Sequence, residues 1–169
     1  LLFNIFLLIL HHCMKRLPLL PTIIGTGFGS GFWPWGPGTA GALLGMLLWY
    51  ALSFLLTSTV LFAITLCAIV VFTILGTWAT KCLEPFWGSD PKKVVVDEMV
   101  GVWIPLLAVP SQSLWLALAS FVLFRFFDIL KPLGIRKLDR HDGAFFVMAD
   151  DILAGIYSLI IIVAVQWII

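Results

Sequence analysis

Six ionisable residues stand in or beside stretches that are otherwise almost wholly apolar: Asp97, Glu98, Arg125, Asp128, Asp150 and Asp151. Five carboxylates beside one arginine is unbalanced for structural pairing alone, and excess acid at one place attracts a cation. A ligand set made only of oxygen suits magnesium. Lys131, three residues after Asp128, supplies a second cation. A divalent ion flanked by an arginine and a lysine can grip a phosphate and stabilise charge on a transferring phosphoryl group. The competing reading is an internal salt-bridge network, with Arg125 on Asp128 and Lys131 on Asp151.

The background makes these residues stand out. Of 169 residues, 62% are hydrophobic and 11% are charged, where an ordinary soluble domain is about 25% charged. Mean hydropathy is +1.11. These values point to an integral membrane protein, and they exclude a disordered tail and most soluble enzymes. A net charge of +1 offers no basic surface to DNA or RNA, so no nucleic-acid partner is expected. Five apolar stretches, 40–56, 60–79, 94–110, 114–130 and 152–169, are each about 17–20 residues long, near the minimum for a crossing. Backbone hydrogen bonding in lipid makes them helices. The expected fold is an all-α integral membrane protein, a bundle of about five transmembrane helices with a Gly/Pro-rich interfacial loop before the first.

Connectors 57–59 and 109–113 carry no charge, whereas the N-terminal region, 80–93 and 131–151 are charged. With five crossings the charged connectors share one side. Their lysines and arginines make that side cytoplasmic by the positive-inside rule. Asp97 and Glu98 lie one turn into the third span, Arg125 and Asp128 in the last two turns of the fourth, and Asp150 and Asp151 at the threshold of the fifth. All six therefore reach a similar depth. Ionisable groups there cost about 2.5–3.5 kcal/mol each on insertion scales, so they are kept when paired or functional. Arg125 and Asp128 share a helix face, which Lys131 extends if the helix persists before Pro132 ends it. Neighbouring residues diverge by about 100° on a helix. One member of each acidic pair is thus expected in the site, and Asp150 or Asp151 suits the N-cap of the last helix.

Seven glycines between Gly25 and Gly41 preclude a regular helix there. Alternating glycines around Gly29 and Ser30 allow an anion-binding nest, and Gly38-Thr39 can add helix N-terminal amides. The alternative is an interfacial loop anchored by Trp33 and Trp35. Neither a Walker A loop nor a dinucleotide fingerprint is present. Cys13, Cys67 and Cys82 show no metal or CxxC spacing. Neither a cysteine-phosphatase loop nor a DxD motif occurs, which leaves metal-assisted attack on phosphorus. Residues 1–13 read as a dispensable or non-native extension before Met14-Lys15-Arg16, and 14–169 as one membrane-embedded domain.

Four motif blocks then follow in order. They are Gly27-Phe28-Gly29-Ser30-Gly31 through Pro34 to Pro37-Gly38-Thr39-x-Gly41; Val96-Asp97-Glu98-x-x-Gly101-x-Trp103; Phe124-Arg125-x-x-Asp128-x-x-Lys131-Pro132, running on to Ile135-Arg136 and Asp139-Arg140; and Asp150-Asp151-x-x-Ala154-Gly155. In these blocks the chain resembles bacterial phosphatidylglycerophosphatase A. It departs from the family at Gly134, Ala42 and the stretch 143–148, which leaves the charged set intact. The resemblance implies a magnesium-dependent phosphatase domain of the bacterial inner membrane. Its substrate would be phosphatidylglycerol phosphate in the bilayer, and its products phosphatidylglycerol and inorganic phosphate. Carried over residue by residue, it puts Asp97, Glu98, Arg125, Asp128, Lys131, Asp150 and Asp151 in the site. Within that set Asp97, Asp128 and Asp151 are assigned to the metal. Gly29, Ser30, Gly38, Thr39, Arg125, Lys131 and Arg136 are assigned to phosphate or substrate. A small transporter or channel with an acidic ion site is the rival. Against it, the charges gather near one surface and no inverted repeat appears.

Overall fold

The computed structural model describes residues 17–89, 91–132, 134–139 and 143–168. The extension expected at 1–13, Arg140 of the third motif and the side chain of Asp139 lie outside the described residues. The described chain is all helical: α1 (Leu19–Gly25), a 3-10 turn (Ser30–Phe32), α2 (Pro37–Leu52), α3 (Ser58–Trp87), α4 (Val96–Leu106), α5 (Leu114–Leu130), α6 (Ile135–Asp139) and α7 (Ala144–Ile168).

Helix α4 is the axis of the bundle. Of its 11 residues only Glu98 is not fully buried, and α2, α3, α5 and α7 surround it. The outside is apolar. On α3 alone Val60, Phe62, Ile64, Leu66, Val70, Val71, Ile74 and Trp78 are exposed. The α3 hydroxyls of Thr65, Thr73, Thr77 and Thr80 donate to the carbonyls one turn back, at 2.6–2.8 Å. Such back-bonding satisfies these four hydroxyl donors within a helix whose outer face is apolar. Two helices, α3 with 30 residues and α7 with 25, are long and apolar enough to cross a membrane, among the described residues.

The helices differ from the expected spans in ways with physical causes. The stretch 94–110 contains a helix of only 11 residues, because Pro91 and Val94 form a turn before it and Pro105 and Pro110 lie at its end. Hydropathy cannot tell burial in protein from burial in lipid, so this stretch reads as a span. Helix α3 runs on past 79 to Trp87, through Lys81, Glu84 and Pro85. Helix α7 starts at Ala144, about two turns before the expected 152. Asp150 and Asp151 therefore lie inside that helix and cap nothing.

The two ends of the bundle contrast. At one end the turn after α2, the start of α3, the 107–113 turn and the end of α7 meet without a charge. Ser58 and Ser111 hydroxyls lie 3.0 Å apart, Gln112 N donates to Ser53 Oγ at 3.2 Å, and Gln166 Nε2 donates to Ala108 O at 3.0 Å. Charged side chains gather at the other end. Between them, Trp103 Nε1 donates to Gly45 O at 3.0 Å and ties α4 to α2. Trp103→Phe keeps most of the packing and leaves this buried link unmade. It is expected to cost about 1 kcal/mol, read as a melting temperature about 2–4 °C lower in detergent. An unchanged melting temperature would remove the link from the account of stability.

Candidate active site

A cavity of about 310 Å³ opens at the charged end. Gly36, Pro37 and Gly38 at the start of α2 form one wall. Ser89, Pro91, Lys92 and Val94, between α3 and α4, form another. Asp97 and Glu98 come from the first turn of α4, and Arg125, Asp128 and Lys131 from the end of α5. Gly143, Phe146, Val147, Asp150 and Asp151 come from the start of α7. All six charged residues singled out in sequence line this one cavity.

The carboxylates fall into two groups. Asp97, Glu98 and Asp151 each present an oxygen within 4.8 Å of the others, the geometry of a possible metal site. None of the three pairs with a lysine or arginine among the described residues. Asp97 Oδ1 and Glu98 Oε2 are buried without a hydrogen-bond partner. The other two carboxylates are held by cations. Arg125 Nη1 lies 2.5 Å from Asp128 Oδ2, and Lys131 Nζ lies 2.7 Å from Asp150 Oδ2. The expected Arg125–Asp128 pair is thus present, while Lys131 meets Asp150 and not Asp151. Helix α5 stops at Leu130, and Lys131 closes it in the left-handed conformation (φ 46°). That turn swings its side chain off the helical face shared by Arg125 and Asp128.

Of the sequence-assigned metal set Asp97, Asp128 and Asp151, the first and last gather with Glu98, and Asp128, engaged by Arg125, lines the same cavity. Adjacent Asp97 and Glu98 both reach the cavity because it lies at the N-terminal tip of α4, where the 100° divergence brackets the axis. Gly38 makes room for Glu98, since a side chain there would collide with Glu98 Oε1.

One crossing brings the trio together. Asp97 precedes Gly101 by four residues, and Asp151 precedes Gly155 by four. Helices α4 and α7 touch at these two glycines: a Cβ on Gly155 would lie 2.5 Å from Gly101 O. Each aspartate stands one turn from the contact, on the same face. The repeated Asp-x-x-x-Gly spacing is a sequence signal that could have found this pairing. Lys92 also lines the cavity, and a lysine in a charged connector carries no pattern that sets it apart in sequence.

The other expected phosphate ligands are placed differently. The amides of Gly27 to Phe32 donate to carbonyls of the loop and of α1, and Gly29 N also reaches Thr26 Oγ1 at 3.1 Å. Ser30 Oγ donates to Gly27 O at 2.9 Å. These groups close the loop on itself, and Gly29 and Ser30 do not line the cavity. Thr39 is exposed on α2, and Arg136 on α6 donates to Leu130 O at 3.2 Å.

A family model described as Phosphatidylglycerophosphatase A matches residues 23–166. The chain belongs to this family. The match to phosphatidylglycerophosphatase A spans α2 to α6, most of α7 and every cavity wall described above. A Haemophilus influenzae protein of that name is 41% identical over 91% of this chain and 94% of its own length. One from Escherichia coli K12 is 36% identical over 80% of this chain and 77% of its own. A Bacteroides thetaiotaomicron protein named "Putative phosphatidylinositol-3-phosphatase" is 57% identical over 92% of this chain and 99% of its own. No solved structure matches the chain.

Proposed function

We propose that the protein removes the terminal phosphate of phosphatidylglycerol phosphate, releasing phosphatidylglycerol and inorganic phosphate, with magnesium, at the cytoplasmic face of a bacterial inner membrane. One observation carries the chemistry: three carboxylates with no lysine or arginine partner among the described residues share a cavity with an arginine and a lysine. The orphaned oxygens of Asp97 and Glu98, and a donor set made only of carboxylates, fit a hard divalent cation. Asp97, Glu98 and Asp151 would hold it. When bound, magnesium supplies positive charge to phosphoryl oxygens and lowers the pKa of a bound water. Arg125, fixed by Asp128, and Lys131, fixed by Asp150, face the remaining phosphate oxygens and oppose the charge that builds in the transition state. At about 310 Å³ the cavity sits at the small end of ligand pockets. It suits a headgroup whose acyl chains stay outside against the apolar helices. The crossing-length helices α3 and α7, with lysines in the connectors at the cavity end, support a membrane-embedded protein with its site on the cytoplasmic side.

The name of the Bacteroides relative favours a second reading, a phosphoinositide substrate with the same phosphomonoester chemistry. Phosphate release from both lipids by purified protein in detergent decides between them. Release from phosphatidylglycerol phosphate is expected to be at least about tenfold faster, to stop with chelator, and to return with magnesium. Faster release from phosphatidylinositol 3-phosphate would transfer the assignment to that lipid. Release indifferent to chelator would remove the metal.

A further inference from the structure

The mouth of the cavity carries a turn with two lysines that point different ways. Val94 N donates to Pro91 O at 2.8 Å, which puts Lys92 and Lys93 at the corner. Lys93 faces away from the cavity into an aromatic pair. Its Nζ lies 5.8 Å from the centroid of Phe32 and 5.4 Å from that of Trp87, within the range of cation–π attraction. The carbonyl of Lys93 rests on Gly31, where any side chain would collide with it. Val95 N donates to Gly25 O at 2.8 Å. These contacts pin the turn to the loop after α1. Lys92, on the other corner, lines the cavity.

The charges of the cavity give Lys92 a role. Asp128 engages Arg125, and Asp150 engages Lys131. Lys92 makes no ion pair among the described residues. It comes from the wall between α3 and α4, whereas both other cations come from the end of α5. An exposed cation on a pinned turn, apart from the arginine and lysine at the end of α5, suits a second anion on the same ligand. The lipid of the proposed function has one: a phosphodiester joins its terminal headgroup to the diacylglycerol. We propose that Lys92 is a specificity-determining residue that binds this phosphodiester, so that the site reads two phosphates on one headgroup. The inference rests on the proposed function for its choice of ligand. A cation on a pinned turn suits a singly charged diester, whose two non-bridging oxygens accept from an ammonium or a guanidinium alike.

The test separates the two phosphates. Short-chain phosphatidylglycerol carries the diester alone, and inorganic phosphate mimics the monoester alone. Each is titrated calorimetrically into the full chain in detergent with magnesium. Lys92→Gln is expected to weaken binding of phosphatidylglycerol about tenfold and leave that of inorganic phosphate within about twofold. Lys92→Arg is expected to restore the lipid affinity. Unchanged lipid binding in Lys92→Gln overturns the inference. So does a parallel loss for both ligands, which would mark a general field and not a subsite, and so does a wild-type protein that does not bind phosphatidylglycerol. Turnover of phosphatidylglycerol phosphate is measured separately and bears on the proposed function. Lys92-dependent lipid binding without turnover would sink that reading and leave this one standing.

Discussion

Asp97→Asn is expected to lower phosphate release by about 10³-fold and, in chelator, to raise the melting temperature. The two effects come from one cause. Asp97 is only 7% exposed, and its carboxylate shares a pocket with those of Glu98 and Asp151. Without a cation, like charges at this separation repel strongly in a medium less polar than water. Asparagine keeps the shape and removes one charge, so the empty site relaxes. Adding magnesium should stabilise the wild type, because a ligand that binds only the folded state raises its stability by mass action. The same addition should leave Asp97→Asn nearly unmoved. A structural salt-bridge network predicts the opposite sign, since losing a buried partner destabilises. Thermal unfolding of both proteins, with magnesium and with chelator, reads all four states. A variant that melts lower than wild type in chelator would return the acids to a structural role.

That sign could be argued from sequence only in part. Counting spans brought Asp97, Glu98, Arg125, Asp128, Asp150 and Asp151 to one depth, and all six line one cavity. Depth is legible because apolar length is legible. Partner choice is not. Lys131 meets Asp150 because α5 ends one residue before it in a left-handed turn, and a single sequence offers no means to foresee that turn. Glu98 joins Asp97 because the cavity lies at a helix tip, where angular separation along the helix loses its meaning. The glycine-rich loop misleads in another way. Its composition permits a nest, but Thr26 and its neighbours satisfy the amides locally. The short α4 reads as a full span because Val100, Val102 and Ile104 are as apolar against protein as against lipid. The apolar exterior and the buried axis differ only in what they touch, and hydropathy does not record that.

The second large effect tests whether the α4–α7 crossing sets the site. Gly155→Ala is expected to lower activity about 100-fold, since a misplacement of about 1 Å at a reacting centre costs that much. It should also destabilise the protein by about 1–3 kcal/mol, the usual cost of overpacking. The new Cβ would stand 2.5 Å from Gly101 O and 3.0 Å from Ile104 Cβ. A backbone carbonyl cannot step aside, so the helices must part, and Asp97 moves away from Asp151. Gly101→Ala collides first with the ring of Phe124 and meets Asp151 O only at 3.0 Å. A side chain can be shortened. Phe124→Leu should therefore restore much of the activity lost in Gly101→Ala and none of that lost in Gly155→Ala. Phosphate release and melting temperature for both single variants and both doubles would show it. Equal rescue of both would mean that bulk at the crossing matters and the carbonyl contact does not. Rescue of Gly101→Ala alone would tie the spacing of Asp97 and Asp151 to one backbone contact, four residues from the carboxylate on each helix.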